Sequence, residues 1–365
     1  MFYIDIFKFI LNIIYCPFKL IKKQDKVLFL SRQSNKVSLD YRLLIAELKK
    51  HDSNLKIKVI SKKLEKNFIS LLSNFFLLFF QMYQIATSKI VITDGYSICI
   101  SILKHSNKTT IIQMWHANGI IKKIGLQTLN VRSEKNRKLA LKMNMHKNYD
   151  YVISSSNQTS KVFSEAFNVN MNKILNYGTP TLDYIYNHKN DKRDEIKNKY
   201  KLQDKKTIVY LPTYRNEPIN LDKIIKFIDF NKYQLVVKNH PVDKTKVNLK
   251  QVINIKDYIA EDLISVADYV ISDYSNVVFE ALLSGKKTYC YIYDHERFKK
   301  EFGFNIDLQK EFSKFSFSNF DDIIKEIEKD NYDFKEANKF LNKYIENFDG
   351  KATKRICEFI LQIIK

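Results

Sequence analysis

Nine short runs of almost unbroken apolar residues constrain this chain's fold more than any other feature. They lie at 27–31, 57–61, 90–93, 109–114 and 151–154 in the first half and at 208–211, 235–238, 269–272 and 288–292 in the second, alternating with segments of helix length. A strand with one wet face alternates apolar and polar residues. A strand covered on both faces does not, and helices crossing over a parallel sheet supply that cover. The prediction is an α/β protein with parallel sheets. At 365 residues the chain is long for one core, and its 45% hydrophobic content suffices for two. The charged, helix-breaking stretch 187–206 is the expected linker, which separates an N-terminal domain, 24–190, from a C-terminal domain, 207–350. A last helix, within 351–365, is placed to return to the first domain.

One segment carries the most local information. From Asp268 a short strand runs into Asp273-Tyr-Ser-Asn276 and then directly into an apolar-periodic helix. Ser275 or Asn276 is a natural N-cap, and a helix start of this kind offers N–H groups and a positive dipole end to an anion; an ordinary capped helix is the plain alternative. The segment at 89–97 repeats the same order of strand, small hydroxyl, Asp, Tyr and Ser, as two halves built on one local solution would.

The formal charge of +21 invites a nucleic-acid reading, but only eight of the 61 basic residues are Arg and the Lys are scattered through every segment. No basic stripe with interleaved aromatics stands out, so the charge points to a phosphate-rich substrate or an anionic membrane surface, and no nucleic-acid partner is expected. Cys16, Cys99, Cys290 and Cys357 are widely spaced, without a CxxC pair, and read as buried reduced thiols of a cytoplasmic protein. Residues 1–23 are apolar, with Asp5, Lys8, Asn12 and Lys19 at helical spacing and Pro17 as a breaker. That is the pattern of a helix lying in a membrane interface or packing on the protein's own body, and not of a spanning helix or a secretory signal. The run 68–82 reads as a buried or half-buried helix.

Five motifs follow one another: Gln113-Met-Trp-His-Ala-Asn-Gly-Ile-Ile-Lys-Lys-Ile-Gly125, Tyr177-Gly-Thr-Pro-Thr-Leu-Asp-Tyr184, Tyr210-Leu-Pro-Thr-Tyr-Arg215, Val237-Lys-Asn-His-Pro241 and the segment from Asp268. Together they resemble the CDP-glycerol or CDP-ribitol glycerophosphotransferases of teichoic-acid synthesis, over roughly residues 85 to 300. The resemblance implies two Rossmann-like domains facing each other across a cleft, the GT-B arrangement, with the acceptor on the N-terminal domain and the nucleotide donor on the C-terminal one. It implies transfer of an alditol phosphate from a CDP-alditol donor to a hydroxyl of a lipid-linked saccharide acceptor, with release of CMP. A GT-B glycosyltransferase using a nucleotide sugar, or a nucleotide- or nucleic-acid-binding protein without catalysis, would share the fold.

Such a transfer needs a base, positive charge around a diphosphate and a nucleotide pocket. His116 is the expected base: it follows Trp115, the only Trp, at a strand end and precedes the turn Ala117-Asn118-Gly119. Trp115, Asn118, Gly119, Lys122 and Lys123 form the expected acceptor side. Lys238 and His240 fall just past a strand, where α/β folds hold ligands, and the resemblance implies that they meet the donor diphosphate, with His240 also catalytic. Thr213 and Arg215 follow another strand, the fork of Arg215 suiting a bidentate phosphate contact. Ser275 and Asn276 would hold a donor phosphate, while Asp273 and Glu280 orient the site or meet ribose hydroxyls. Gly178, Thr179, Pro180 and Asp183 would shape the cleft, Asp183 at the least as a helix cap. No metal-ligand spacing occurs, and neither a metal nor another cofactor is expected.

Overall fold

The computed structural model describes residues 2–63, 68–215, 220–240, 243, 247, 249–346 and 348–365, the side chains of 68–73 excepted. Pro241, which closes the fourth motif, lies outside the described residues. The chain forms two compact units, one of Met1–Asn118, Lys123–Asp183 and Lys351–Lys365, the other of Gly119–Lys122 and Tyr184–Gly350.

Among the described residues the first unit holds β1 (Gln24–Ser31), β2 (Lys56–Ser61), β3 (Ser88–Thr93), β4 (Thr110–Gln113), β5 (Tyr151–Ser154) and β6 (Ile174–Asn176). They pair in parallel in the order β2-β1-β3-β4-β5-β6, so the order reverses between β1 and β3. The second unit holds β7 (Lys206–Tyr210), β8 (Tyr233–Val237), β9 (Val252–Asn254), β10 (Tyr269–Ser272), β11 (Lys287–Tyr291) and β12 (Ser316–Phe317). Their order, β12-β11-β10-β7-β8-β9, is that of a dinucleotide-binding sheet and reverses between β7 and β10. Two parallel sheets with covering helices bear out the α/β class read from the apolar runs, in a GT-B-like fold. The central strands are buried on both faces, as at Val27, Phe29, Ile90, Ile92, Val209, Val236 and Val270.

The expected linker is corrected. Residues 187–206 carry the end of helix Pro180–His188 and the helix Arg193–Tyr200, whose Ile196 is buried in the second core, so the unit boundary falls between Asp183 and Tyr184. Helix Ala352–Ile364 belongs to the first unit, where Ile356, Cys357 and Ile360 pack with Tyr41, Leu44 and Leu48 of helix Leu39–His51. Its start is capped from far away in sequence: the Asp183 carboxylate accepts from the Ala352 N–H at 2.9 Å, the Thr353 N–H at 2.6 Å and the Thr353 hydroxyl at 2.6 Å. Asp183 is therefore a cap, though of another helix than its own.

Helix Phe2–Phe18 packs with its polar stripe inward. Lys8 donates to the Lys142 carbonyl (2.8 Å), Asn12 to the Ile102 carbonyl (3.1 Å), and Asp5 pairs with Lys142 (2.5 Å), while Ile4, Leu11 and Tyr15 are buried between them. Phe2, Tyr3, Ile6, Phe9, Ile10 and Ile13 face outward. Helix Phe68–Ala86 buries Met82 and Ile85 and exposes Phe75, Phe76 and Phe80, the half-buried alternative of the expectation. Cys16 is exposed because it lies on the outer side of the first helix, against the expectation of burial; Cys99, Cys290 and Cys357 are buried. Among the described residues no helix is long and apolar enough to cross a membrane.

Candidate functional site

In the second unit the candidate residues gather at the carboxyl ends of β7, β8 and β10, where a doubly wound sheet leaves a crevice at its switch point. The loops after β7 and β10 are stitched together. Ser272 donates from its hydroxyl to the Leu211 carbonyl (2.7 Å), and the Asp273 carboxylate accepts from the Thr213 N–H (2.9 Å) and from the Thr213 hydroxyl. Arg215 then closes a buried cluster. Its Nη2 is 2.8 Å from Asp273, its Nε is 2.8 Å from Asp294, and its side chain is 6% exposed. The guanidinium lies 4.6 Å from the ring centroid of Phe298, which stacks at 4.1 Å on Tyr274.

This corrects one expectation. The Arg215 fork is taken by Asp273 and Asp294, so it anchors the loops instead of presenting a bidentate face to phosphate. Asp273 is 1% exposed and holds Thr213 and Arg215 in place, in keeping with the orienting one of its two expected roles. Burial works against the charge on Arg215, but Asp273 and then Asp294 outweigh it and raise its pKa. Asp294 was missed in the sequence, although an acid just past an apolar strand in a chain with eight Arg was the available signal.

The layout of strand, turn and helix after β10 is present, and of the two expected caps Ser275 is the one that serves. The helix Val277–Leu283 has seven residues; Asn276 makes no side-chain cap bond, whereas the Ser275 hydroxyl oxygen accepts from the Val277 N–H at 3.4 Å. Asn276 is used otherwise: its Oδ1 accepts the Gly119 N–H at 2.9 Å and its amide nitrogen donates to the buried Glu280. Gly119 is required here, since a Cβ would stand 2.1 Å from the Phe279 ring.

Gly119 and Lys122, expected with the acceptor, therefore lie in the second unit. The segment is held by a bridge from Lys122 to Phe304 and by Asn305, whose amide donates to the Lys122 carbonyl at 3.0 Å. Lys122 lies close enough to Asp273, Arg215 and His240 to feel or shift their charges. Burial lowers its pKa, Asp273 opposes that and Arg215 adds to it. His240 is exposed beside Tyr214, and partial burial followed by the Lys122 charge lowers its pKa. Lys238 donates to the Lys256 carbonyl at 3.0 Å, and burial lowers its pKa too. The arrangement offers an anion the cations of Lys122 and Lys238 and the imidazole of His240.

The first unit carries the rest of the motif at its own switch point. His116 is exposed just past β4, with Nδ1 2.8 Å from the Asp94 carbonyl. A carbonyl only accepts, so Nδ1 carries the proton and the neutral ring has its lone pair on Nε2. Trp115 backs the imidazole at 4.5 Å between ring centroids, and the Gln33 amide lies 3.4 Å from Nδ1. Asn118 is buried: its backbone carbonyl accepts from Ser155 (2.8 Å) and its Oδ1 from Thr179 (2.8 Å). Lys123 is exposed in this unit. Gly178 has φ +78° and donates its N–H to the Ser154 carbonyl, the turn that delivers Thr179 to Asn118. Asp94, unforeseen as a contributor, is 4% exposed and burial raises its pKa to about 6.

The family model described as CDP-glycerol:poly(glycerophosphate) glycerophosphotransferase matches residues 13–362. The teichoic acid ribitol-phosphate primase of Bacillus spizizenii is 29% identical over 356 residues, 93% of this chain and 91% of that protein. The teichoic acid glycerol-phosphate primase of Bacillus subtilis is 27% identical over 311 residues, 82% and 78% of the two chains. The structure of the wall teichoic acid polymerase TagF superposes with a TM-score of 0.75 at 20% identity, covering 100% of this chain and 97% of that one, and bears on the fold alone.

Proposed function

The chain belongs to the CDP-glycerol:poly(glycerophosphate) glycerophosphotransferase family, and from that premise we propose that it moves a glycerol or ribitol phosphate from a CDP-alditol to a hydroxyl of a lipid-linked saccharide in teichoic-acid-type synthesis. The observation that carries the mechanism is the Nδ1 contact of His116 with the Asp94 carbonyl, which leaves the basic lone pair on Nε2. Nε2 takes the acceptor proton, the hydroxyl oxygen bonds to the phosphorus that carries the alditol, and the bond from that phosphorus to the CMP oxygen breaks. Lys122, Lys238 and His240 supply the positive charge and hydrogen bonds that the departing phosphate requires. Thr213, Arg215 and Asp273 hold the loops that present them, and Ser275 and Asn276 line the donor side.

A lipid-linked acceptor is met at a surface. The outward face of helix Phe2–Phe18, with Phe2 78% and Phe9 67% exposed and Lys19 and Lys22 at its end, supports peripheral docking on the anionic cytoplasmic face of the membrane. The test of the reaction is CMP release from CDP-glycerol and CDP-ribitol with and without a lipid-linked disaccharide, followed by product mass. Release that depends on acceptor, with the product heavier by one or more alditol phosphates, is expected. Transfer from a nucleotide sugar in its place would overturn the proposal.

A further inference from the structure

Where helix Phe2–Phe18 meets the body of the first unit lies a small cavity of about 280 Å³, lined by Lys8, Phe9, Asn12, Ser101, Lys104 and Lys147 among others. Its walls are fixed by local chemistry. Asn12 donates to the Ile102 carbonyl (3.1 Å) and accepts the Lys104 N–H on Oδ1 (2.8 Å), which clamps the end of helix Ile98–Ile102 against the first helix. Another wall is a turn whose Asn144 and Asn148 have left-handed backbone, φ +50° and +74°, a conformation that Asn tolerates. That turn carries Lys147, and Asn148 fastens it by donating to the Ile100 (2.8 Å) and Leu103 (3.0 Å) carbonyls.

The charge within those walls is of one sign. Lys8, Lys104 and Lys147 line the cavity, and among the described residues no Asp or Glu does. Asp5, on the same helix as Lys8, already pairs with Lys142 at 2.5 Å. Lys8 uses two of its three N–H groups, on the Lys142 carbonyl (2.8 Å) and on Asn144 Oδ1 (3.2 Å), and keeps one. Ser101 is fully buried, and its hydroxyl has no hydrogen-bond partner. Buried hydroxyls are normally bonded, so one left over beside three ammonium groups marks the place of an anionic acceptor.

Size and setting narrow the anion. Drug-sized ligands occupy pockets of about 300–1,000 Å³, so this cavity fits a headgroup and neither a nucleotide nor a disaccharide. Phe9 is one of its walls and is also part of the outward apolar face of Phe2, Ile6, Ile10 and Ile13. An anion seated here has a hydrocarbon-binding surface beside it. We propose that the cavity takes the phosphodiester of an anionic glycerophospholipid, whose acyl chains lie along the outer face of helix Phe2–Phe18. The proposal rests on the reading of that face as the one that meets the membrane, and it adds recognition of a headgroup to attraction by surface charge.

Four vesicle preparations separate the sources of attraction: phosphatidylcholine alone, and phosphatidylcholine with phosphatidylglycerol, with oleate or with a prenyl diphosphate, the last three matched in surface potential. Sedimentation with the full chain should give a binding constant about 10-fold or more higher for phosphatidylglycerol than for oleate vesicles, the scale of one charged hydrogen bond. In the double variant Lys104→Gln, Lys147→Gln that ratio falls toward one, and both positions are exposed, so the fold is kept. Ser101→Ala lowers the ratio as well and leaves the melting temperature unchanged, because its hydroxyl has no partner in the protein to lose. Dihexanoylphosphatidylglycerol below its micelle concentration, titrated calorimetrically, reads the cavity without a bilayer and should bind the parent chain and not the double variant. Equal constants for phosphatidylglycerol and oleate vesicles overturn the proposal, since surface charge alone then accounts for binding. A ratio that survives the lysine substitutions overturns it too, as does tight binding confined to the prenyl diphosphate, which would assign the cavity to the lipid carrier. Failure to sediment with any vesicle, alongside lysine-dependent binding of the soluble lipid, would instead overturn the reading of peripheral docking and leave the headgroup site standing.

Discussion

At the scale of single residues, the chain places two buried carboxylates at equivalent points, Asp94 after β3 and Asp273 after β10, and uses them differently. The sequence echo between 89–97 and 268–275 made these positions legible as strand ends. What it could not supply was the partner: Asp273 meets Arg215 at 2.8 Å, whereas Asp94 has a buried oxygen without a hydrogen bond. Asp94 thus gives a pH-dependent prediction. Its folded pKa, about 6, lies above the ordinary 3.8, so the folded state binds the proton more tightly than the unfolded one. Stability from this group is full below pH 3.8 and falls as pH rises to 6, by roughly 3 kcal/mol. Asp94→Asn should flatten the fall between pH 4 and 6 in denaturant unfolding of the variant relative to the parent chain; an unchanged slope would mean that Asp94 is ionised throughout. Arg215→Lys preserves charge but cannot span Asp273 and Asp294, and breaking a buried pair costs about 3–5 kcal/mol. A lower melting temperature and a higher donor KM should arrive together. A raised KM with unchanged melting would show instead that Arg215 touches the donor itself. His116→Ala, at an exposed position, should melt like the parent and lose about 10²–10⁴-fold in kcat with little change in donor KM. Near-normal turnover in a folded variant would remove His116 from the role of base.

At the scale of elements, the buried strands were readable because cover on both faces forces continuous apolar runs, as in Tyr233–Val237, buried throughout. The strands that escaped were β6, β9 and β12, of three, three and two residues, too short for any period to show. They sit at sheet edges, where pairing with a neighbour and not the pattern of side chains defines a strand. Helix Phe2–Phe18 shows a different limit. Its amphipathic period was legible, but which face turns inward was not, since the polar stripe finds backbone carbonyls at Ile102 and Lys142 and the apolar face is left outside. Phe9→Ser with Ile13→Ser should therefore leave thermal unfolding unchanged and lower the binding constant for anionic vesicles, read by sedimentation, by roughly 10- to 100-fold per side chain, as removal of about 1.5–3 kcal/mol each implies. Undiminished sedimentation would move the contact to Phe75, Phe76 and Phe80 of helix Phe68–Ala86.

At the scale of the whole molecule, the chain leaves each unit and comes back. Gly119–Lys122 belongs to the second unit and Lys351–Lys365 to the first, so neither unit is one continuous stretch of sequence. The motif from Gln113 to Gly125 was legible as one block, yet it serves two units, because Gly119 is pinned by Asn276 while Asn118 is pinned by Ser155 and Thr179. No local pattern carries that division. The same connectivity predicts that the last 15 residues of the chain hold the first core together. Ile356 and Ile360 are 1% and 0% exposed against Leu44 and Leu48, and each buried Ile contributes about 1.5–3 kcal/mol. Asp183 adds a charged cap to the start of the helix, and Lys89 donates from Nζ to the Ile364 carbonyl at its end (2.6 Å). Truncation after Gly350 therefore removes several kcal/mol from a domain whose total stability is of the order of 5–15 kcal/mol. Hydrogen exchange should show β1 and β3 losing protection in the truncated chain while β7 and β10 keep theirs. Asp183→Ala should produce the same regional loss more weakly, by about 1 kcal/mol for the cap. Uniform loss over both sheets would mean that the two units unfold as one, and the terminal helix would then be a support of the entire molecule.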